Sequence, residues 1–359
     1  MADSKQVPLD AEAAAKAAFA SVQDQPFPDN IFTAPELRWA VIGCGVIANQ
    51  MAQSLALAGR KLAGVANRTL SKAQAFAEQY GVEKVYDTVE GLYADPNIDA
   101  VYITTPHNTH ITYLRAALAA GKHVLCEKAI TLNSAELDEA RAIANEHNVV
   151  LMDATTVLHM PLYQELRRRM DAGEFGRMNL AQLNFGSYKE YGDLTNRFYN
   201  RNLAGGAMLD IGVYALSVMR LFMASQPVEV VSLGNTCETG VDVAGGIVCR
   251  NAEQQLGVVS LTLHSKQPKR SVISFDNCYV EVNEYPRADH ATIVWTADGH
   301  REEVAAGTEA YALCYEMADL EQAVAGDDSK RELLDYASDV MELMTKLRAD
   351  WGVVYPEEE

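Results

Sequence analysis

The stretch LRWAVIGCGVIA, residues 37–48, decides the fold of the first part of this chain. Its first six residues are mostly apolar and are typical of a buried strand. They lead into Gly43, Gly45 and Ala48, the spacing G-x-G-x-x-G/A, which opens a helical pattern over 46–57. The first glycine permits a tight turn, the second lets a phosphate approach the backbone, and the alanine allows close packing of helix on strand. The spacing predicts a dinucleotide-binding site. The alternative is a helix start that needs small residues only for packing.

Two neighbouring features indicate how the dinucleotide is held. Val46 and Ile47 place backbone N–H groups at the positive end of the helix, where a pyrophosphate binds. At the end of the second strand, where an NAD site carries an acid for the ribose 2′-hydroxyl, this chain has Asn67 and Arg68. A guanidinium can bind a 2′-phosphate with paired hydrogen bonds, whereas a carboxylate would repel it. The sequence therefore favours NADP(H) over NAD. The alternative is an exposed arginine that only confers solubility.

Over residues 36–155 short β-rich runs alternate with helical patterns, including those over 71–79 and 108–120. Such alternation predicts βαβ units and a parallel sheet. We expect an α/β fold whose N-terminal domain, residues 36–155, is a doubly wound Rossmann domain.

Residues 156–359 have a different pattern. Six β-rich runs follow one another without an intervening helix, which predicts an open, mostly antiparallel sheet within a C-terminal α/β domain. Two helices close the chain and can pack back on the Rossmann domain. The other predicted elements are a helix from 161 to about 171, a strand over 178–186, a helix over 207–223, and the closing helices over 309–325 and 330–348.

Charge and hydropathy exclude two classes of partner. A formal net charge of −19 repels phosphate backbones and anionic lipid. The densest basic run, residues 167–169, is flanked by Glu165 and Asp171 and is typical of a solvated helix face. No window approaches the roughly 20 apolar residues of a membrane helix. We expect neither nucleic acid nor a membrane as partner.

Six cysteines without C-x-x-C spacing indicate reduced thiols, and hence a cytoplasmic protein. Residues 1–35 form an Ala-rich N-terminal arm, which is a marginal helix on its own and could equally be disordered. Asp10, Glu12 and Lys16 interrupt the apolar region that a signal peptide needs, so no export is expected.

Asp210 and Tyr214 lie four residues apart behind a glycine pair, in GGAMLDIGVY, so both can face one side of the predicted helix. An aspartate among apolar neighbours is costly to bury unless it is paired. Lys128, at the carboxyl end of the strand KHVLCE, is a suitable cationic partner. The alternatives are a helix cap for Asp210, core packing for Tyr214 and an exposed strand-end lysine for Lys128.

Three motifs, TPHNTH at 105–110, AGKHVLCEK ending at Lys128 and GGAMLDIGVY, join the glycine fingerprint. With them the chain from about residue 36 resembles the glucose-fructose oxidoreductase, inositol dehydrogenase and rhizopine-catabolism (Gfo/Idh/MocA) family. Tyr214, where many members have histidine, makes it most similar to the subgroup of dimeric dihydrodiol dehydrogenases, NADP-linked aldose dehydrogenases and glucose-fructose oxidoreductase. The resemblance implies hydride transfer between nicotinamide and a sugar, polyol or dihydrodiol-type alcohol or carbonyl. It also implies a homodimer or higher homo-oligomer formed through the open sheet.

The resemblance also implies roles for the site residues. Glu127 helps to hold the nicotinamide ribose, and Lys128 points at the substrate oxygen. Tyr214 is the expected acid/base, with Lys128 as the alternative holder of that role. Because a free tyrosine has a pKa of about 10, we expect a nearby ammonium to lower the pKa of Tyr214 while Asp210 orients the lysine.

Further positions match the family less specifically. Thr105, Pro106, Asn108 and His110 match a loop at the nicotinamide end of the cofactor, and a core histidine satisfied by backbone is the alternative for His110. Arg197 matches a subgroup arginine that faces the cleft. It could bind substrate hydroxyls or a cofactor phosphate, or anchor its loop.

One departure from the family is Ala129, where most members have a proline that is often preceded by a cis peptide bond. A cis bond before alanine costs about 2.5–4 kcal/mol, which leaves open a trans peptide and a shifted Lys128. This departure also leaves open a second function, an NADP-binding sensor that has lost the reaction, although the intact catalytic set argues against it. A zinc enzyme is the third alternative. No pair beyond His107 and His110 has ligand spacing, so we expect no metal.

Overall fold

The structure, a computed structural model, describes residues 11–22 and 25–359. The helices are α1 Ala11–Val22, α2 Val46–Leu57, α3 Leu70–Tyr80, α4 Val89–Tyr93, α5 His110–Ala119, α6 Ser134–Glu146, α7 Pro161–Asp171, α8 Val213–Phe222, α9 Ala312–Val324, α10 Asp328–Arg331 and α11 Leu333–Asp350. The strands are β1 Trp39–Ile42, β2 Gly64–Ala66, β3 Lys84–Tyr86, β4 Ala100–Ile103, β5 His123–Cys126, β6 Leu151–Asp153, β7 Met178–Gly186, β8 Pro227–Thr236, β9 Asp242–Asn251, β10 Leu256–Thr262, β11 Gln267–Phe275, β12 Cys278–Asn283, β13 His290–Trp295 and β14 Arg301–Ala305.

The first six strands form one parallel sheet in the order β3-β2-β1-β4-β5-β6. β1 has β2 on one side and β4 on the other. Successive strands are therefore added towards one edge of the sheet up to β3 and towards the opposite edge from β4 onward. In doubly wound sheets the ligand binds beside the carboxyl ends of the strands at this point. The Rossmann expectation is confirmed, and the glycine fingerprint directly follows β1.

Helices cover both faces of the parallel sheet. α2 and α3 pack on one face, together with α9 from the far end of the chain, whose Leu313 and Met317 join Trp39 and Val41 of β1 in one apolar cluster. α5 and α6 cover the other face, where the core continues into the second half of the chain. A closing helix therefore packs back on the Rossmann sheet, because α9 presents an apolar face to it.

The second sheet has eight strands in the order β14-β13-β12-β11-β7-β10-β9-β8. All neighbouring pairs are antiparallel except β7 with β10, which confirms a large, mostly antiparallel sheet. α8 packs against one face, where the side chain of its Met219 lies over Gly257 of β10. The opposite face is open at β8, where Val231 and Leu233 are 75% and 83% exposed.

Sequence patterns placed several elements well and missed others, most of them short. The predicted bounds of α2, α7 and β7 agree with the structure. The helices α4 and α6 and the strands β3, β6 and β14 were not predicted. Of the N-terminal arm 1–35, residues 1–10 and 23–24 lie outside the described residues. α1 is helical, and Val22 at its end is buried in the main core.

The helical run 201–222 is long and apolar enough for a membrane span by length and composition. This differs from the expectation that no window approaches the length of a membrane helix. Within the protein, however, 83% of the apolar window is buried, so these residues belong to the core that α8 forms with the second sheet.

Candidate active site

The turn between β1 and α2, residues 43–48, is the phosphate-binding corner. Gly43 has φ +103°, and a Cβ there would lie 2.7 Å from Oγ1 of Thr104. Gly45 precedes the first turn of α2, and a Cβ added to it meets no described atom within 4 Å. Ala48, in the first turn of α2, is fully buried. The turn therefore leaves the helix N-terminus and the Gly45 backbone open on one side, as a pyrophosphate requires.

Basic side chains follow β2 and lie beside this corner. The Asn67 amide donates to the Thr69 carbonyl at 2.9 Å. Arg68 is exposed and forms no ion pair or side-chain hydrogen bond within the described ranges. Lys72, in the first turn of α3, lies near Cys44. Burial raises the pKa of Cys44 to about 11, and the charge of Lys72 opposes this shift in part. Arg68 and Lys72 thus carry two positive charges beside the corner.

Lys128, Asp210 and Tyr214 come together at the carboxyl end of β5. The Lys128 Nζ donates to Oδ1 of Asp210 at 3.0 Å and to its backbone oxygen at 2.7 Å. The same Nζ lies 4.9 Å from the centroid of the Tyr214 ring. The side chains of Lys128 and Asp210 are 13% and 10% exposed. The structure thus brings the three predicted side chains into one cluster.

Asp210 lies in a π-helical turn, Met208–Gly212, that leads into α8. The Val213 N–H bonds to the carbonyl of Met208, five residues back, so the turn is wider than the α-helix that the sequence predicts. At its start, Oδ2 of the buried Asp242 accepts the Met208 N–H at 2.6 Å. Single π turns are frequent at functional sites. Here the turn presents both the carboxylate and the carbonyl of Asp210 to Lys128.

The Lys128–Asp210 pair is charged at neutral pH. Burial alone would raise the pKa of Asp210, but the charges of Lys128, Arg197 and Lys189 outweigh burial and hold that pKa well below its ordinary value. Burial likewise disfavours the Lys128 ammonium, yet the Asp210 carboxylate more than offsets it and raises the pKa of Lys128. Lys128 is therefore a permanent cation that can donate to an oxygen in the cleft.

The expected direction of the Tyr214 pKa is wrong. Burial raises the pKa of Tyr214 above its ordinary value, and the Lys128 charge offsets this only in part. The reason is that desolvation of the phenolate exceeds the attraction of an ammonium already paired with Asp210. Tyr214 therefore holds its proton at neutral pH.

Glu127, which the family resemblance places at the nicotinamide ribose, is half-buried directly after β5. It accepts a hydrogen bond from the hydroxyl of Tyr102, and its Oε2 accepts the Lys128 N–H at 3.3 Å. Burial raises the pKa of Glu127, and Tyr102 and Lys128 oppose that shift. The peptide bond between Lys128 and Ala129 is cis, and Lys128 contacts Asp210. A trans bond with a shifted lysine therefore does not describe this structure.

The TPHNTH loop connects several parts of the molecule. The ring nitrogens of His110 lie 3.0 Å and 2.8 Å from the carbonyls of Ala129 and Thr105, and the side chain is fully buried. This is the arrangement of the backbone-satisfied alternative. The Asn108 amide donates to the Asn202 carbonyl and to Glu357 near the C-terminus. Thr105 accepts a hydrogen bond from Thr109 at 2.9 Å, and Pro106 is exposed.

His107 was considered only as half of a zinc pair. Its Nδ1 lies 3.2 Å from the Ala204 carbonyl. Burial, reinforced by the charge of Lys128, lowers the pKa of His107 to about 3, so the ring is neutral. Its place in the TPHNTH motif, three residues before His110, could have indicated that His107 lies at the site. Among the described residues no three His, Cys, Asp or Glu side chains are grouped to hold a metal, and all six cysteines are free.

Two more cations lie beside Lys128, Asp210 and Tyr214, the predicted catalytic cluster. Arg197, the predicted substrate residue, has its guanidinium 3.5 Å from Oδ1 of Asp210 and 4.2 Å from the centroid of the Phe198 ring. The Lys189 Nζ lies 4.2 Å from the same centroid. Lys189 has no signal in the sequence, because only the folding of the loop after β7 brings it to this ring.

Glu316 of α9 was also missed. It is fully buried, and neither carboxyl oxygen has a hydrogen-bond partner among the described residues. Burial and the neighbouring Glu127 raise the pKa of Glu316 to about 8. The signal was its position on a helix that buries mainly apolar residues.

A nucleotide-binding parallel sheet whose carboxyl edge meets a lysine, an aspartate and a tyrosine defines the class of pyridine-nucleotide-dependent oxidoreductases. Residues 37–155 match the model of an oxidoreductase family with an NAD-binding Rossmann fold, and residues 163–281 match the Gfo/Idh/MocA C-terminal domain. The chain belongs to the Gfo/Idh/MocA oxidoreductase family. The expectation of an NAD(P)-binding oxidoreductase is confirmed.

Relatives extend over most of the chain. The trans-1,2-dihydrobenzene-1,2-diol dehydrogenase of Mus musculus is 33% identical over 244 residues, 66% of this chain and 72% of the mouse protein. The enzyme of the same name from Sus scrofa is 28% identical over 341 residues, 90% of this chain and 99% of its own. A 3-ketoreductase from Actinomadura kijaniata, solved with NADP and TDP-benzene, is 25% identical and superposes with a TM-score of 0.75 over 88% of this chain and 98% of its own.

Proposed function

We propose that the protein transfers a hydride between NADP(H) and a sugar, polyol or dihydrodiol-type alcohol or carbonyl compound. The observation that carries the proposal is the Lys128 ammonium, held by Asp210 and 4.9 Å from the Tyr214 ring, at the carboxyl edge of the nucleotide-binding sheet. The dihydrodiol dehydrogenases and the 3-ketoreductase support the substrate class, because their names describe redox chemistry at alcohol and carbonyl carbons.

The residues of the phosphate-binding corner fit a dinucleotide. Gly43 cannot carry a side chain without displacing Thr104, whereas the space beside Gly45 is open. A phosphate there would meet the N–H groups at the start of α2, which include those of Val46 and Ile47. Arg68, exposed and without an ion pair among the described residues, is available to a 2′-phosphate. These features support NADP(H) as the preferred cofactor.

We assign distinct tasks to the three clustered residues. When bound, the nicotinamide supplies the hydride acceptor or donor. Lys128 donates a hydrogen bond to the substrate oxygen, and Asp210 fixes the direction of the ammonium. Protonated Tyr214 gives its proton to the oxygen during carbonyl reduction, and the deprotonated form of Tyr214 takes the hydroxyl proton during alcohol oxidation. Because the pKa of Tyr214 is raised, oxidation should accelerate as the pH rises above neutrality, and reduction should not.

The test is a turnover screen of the purified protein with NADP⁺ and NADPH against aldoses, 1,5-anhydro ketone relatives and trans-dihydrodiols. Reduced nicotinamide is followed by its absorbance, and NADP affinity is measured in parallel by calorimetry. Turnover of at least one class supports the proposal. Tight NADP binding without turnover of any class would favour the alternative, an NADP-binding sensor.

We further propose that the open face of the second sheet forms a homodimer contact. Val231 and Leu233 of β8 and Val248 of β9 place exposed apolar side chains on this part of the sheet. Contiguous exposed apolar surface often marks a protein–protein contact. Leu233→Glu should lower the mass measured by light scattering, whereas an unchanged mass for this variant would contradict the assignment.

A further inference from the structure

We propose that the substrate carries an anionic group, a carboxylate or a phosphate ester, and that Lys189 and Arg197 bind this group beside Asp210. This inference rests on the proposed function and narrows its substrate class. The group of residues that carries it, here called the cationic subsite, comprises Lys189, Arg197 and the ring of Phe198.

The first argument is the geometry of the cationic subsite. The Lys189 ammonium and the Arg197 guanidinium each lie 4.2 Å from the Phe198 ring centroid, so the two charges are at most twice that distance apart. Arg197 also reaches Oδ1 of Asp210, the oxygen that accepts from Lys128. Lys128 and Arg197 therefore share this carboxylate, and the charge of Lys189 also acts on it. An anionic substituent of the substrate could meet two of these cations while the reacting oxygen meets the third.

The second argument is the local charge. Within the described residues no carboxylate lies within 4.0 Å of the Lys189 ammonium, and Arg197 shares Asp210 with Lys128. Burial lowers the pKa of Lys189, the charge of Asp210 opposes this shift, and the neighbouring cations Arg197, Lys128 and Lys269 reinforce it. A chain of net charge −19 has many acids that could neutralise such a cluster. Lys269 shows the usual arrangement, since Glu284 pairs with it at 2.9 Å.

The third argument is that the position of Lys189 is fixed. Its backbone N–H donates to the Leu263 carbonyl at 2.8 Å, and its carbonyl accepts from the Tyr199 hydroxyl at 2.9 Å. The Phe198 ring favours a cation at its face. The cofactor does not account for these charges, because the dinucleotide phosphates belong at Gly45 and Arg68 in the proposed assignment. The fixed, incompletely neutralised cations are therefore available to the substrate.

The experiment compares matched substrates. Initial rates with NADP⁺ are measured for glucose, glucuronate and glucose 6-phosphate, and for the corresponding set of a second aldose that the protein oxidises. We expect kcat/KM for one anionic member to exceed that for its neutral partner by roughly tenfold or more, since charge-assisted hydrogen bonds are the stronger ones. The uronate and the phosphate ester distinguish the two sources of negative charge. A ratio at or below one for both, with neutral sugars turned over, overturns this inference and leaves the proposed function intact.

Variants assign the preference to the cationic subsite. Lys189→Gln should reduce the anionic-to-neutral ratio of kcat/KM by roughly tenfold. Lys189→Arg should restore the preference. Lys61→Gln removes the same charge from an exposed lysine paired with Glu83 and should change nothing. An unchanged ratio in Lys189→Gln would overturn the assignment.

Binding provides a readout that does not need turnover. Calorimetry with the NADP⁺-saturated protein should give tighter binding of glucuronate or glucose 6-phosphate than of glucose, and Lys189→Gln should remove the difference. If no compound class of the turnover screen reacts, the proposed function fails and this measurement still decides the inference. Equal affinity for charged and neutral sugars in the wild type would refute it.

Discussion

The phosphate-binding corner and the catalytic cluster are built in opposite ways. The corner, residues 43–48, presents backbone groups to the cofactor. It depends on Gly43 and Gly45 having no side chain. The cluster is made of polar side chains: Lys128 directly after β5, Asp210 in the turn before α8 and Tyr214 in α8, with the cations of the loop after β7 beside them. The corner depends on conformations that neighbouring residues impose on one another. The cluster depends on which charges folding places together and how much water it removes from them.

This difference determines how each region responds to substitution. In the corner an added methyl group either clashes or occupies the space that the cofactor needs, and charge plays little part. In the cluster a change of the same size alters proton affinity and hydrogen bonding, because the groups are buried and close to one another. The two regions should therefore fail in separable ways, one through cofactor affinity and the other through turnover.

The largest effect is expected from Tyr214→Phe. Removal of the hydroxyl deletes the proposed proton carrier and leaves the ring that faces Lys128, so kcat should fall by about 10²–10⁴-fold. Steady-state kinetics would measure the loss, and fluorescence titration should show an unchanged cofactor affinity. Tyr113→Phe on α5, which removes a hydroxyl outside the cluster, is the control. Near-normal turnover of Tyr214→Phe would exclude this tyrosine as the acid/base.

A pair of glycine substitutions tests the corner. Gly45→Val adds a side chain where the structure is open, so stability should hold while NADP affinity falls by at least about tenfold. Gly43→Ala places Cβ 2.7 Å from Thr104 Oγ1 at φ +103°, which should destabilise the fold by roughly 1–3 kcal/mol. Thermal denaturation without cofactor separates the two effects. A destabilised Gly45→Val protein with full NADP affinity would contradict a backbone-built site.

The corner was predictable from sequence because its determinants are local. Gly43, Gly45 and Ala48 lie within a stretch of six residues, 43–48. The helix α2 begins and ends where the periodicity predicts. The missed helix α6 also had a local signal, since the Asn133 side chain accepts the Glu136 N–H, a cap that the spacing N-x-x-E suggests.

The electrostatics of the cluster were not predictable in the same way. Sequence and resemblance brought Lys128, Asp210 and Tyr214 together, but the direction of the Tyr214 pKa depends on burial by residues far along the chain. Lys189 reaches Phe198 only through the fold of the loop between them. The cofactor preference, the substrate and the roles of the site residues stay predictions.

Arg68→Ala sharpens the comparison with a moderate effect. If the guanidinium binds the 2′-phosphate, the ratio of kcat/KM with NADPH to that with NADH should fall by about tenfold, mainly through KM. Efficiency with NADH should hardly change, because NADH lacks the phosphate. Arg38→Ala removes an arginine that is paired with Asp99 at the start of β1, and serves as the control. Equal efficiency with NADH in the wild type, unaffected by Arg68→Ala, would contradict the NADP assignment.

The smallest effect is expected for the thermal stability of the fold, through the buried carboxyl group of Glu316 in α9. Its folded pKa of about 8 lies above the ordinary 4.5, so the folded state binds the proton more tightly than the unfolded state. The stability gained from this proton is complete below about pH 4.5 and is lost as the pH rises towards 8. Glu316→Gln keeps a neutral side chain of similar shape. It should therefore raise Tm at pH 8–9 by at least about 2–4 °C, the shift that ~1 kcal/mol causes in domains of 150–250 residues.

The same substitution should have little effect at pH 5, where both side chains are neutral in the folded protein. Glu342→Gln, which removes an exposed carboxylate from α11, controls for the change in net charge. Calorimetric scans at pH 5, 7 and 9 would give the three curves. A wild-type Tm that does not fall relative to Glu316→Gln between pH 5 and 9 would show that Glu316 is ionised in the fold. Burial would then not raise the pKa of a carboxyl group in α9. The same argument, that burial raises the pKa of Tyr214, would be weakened.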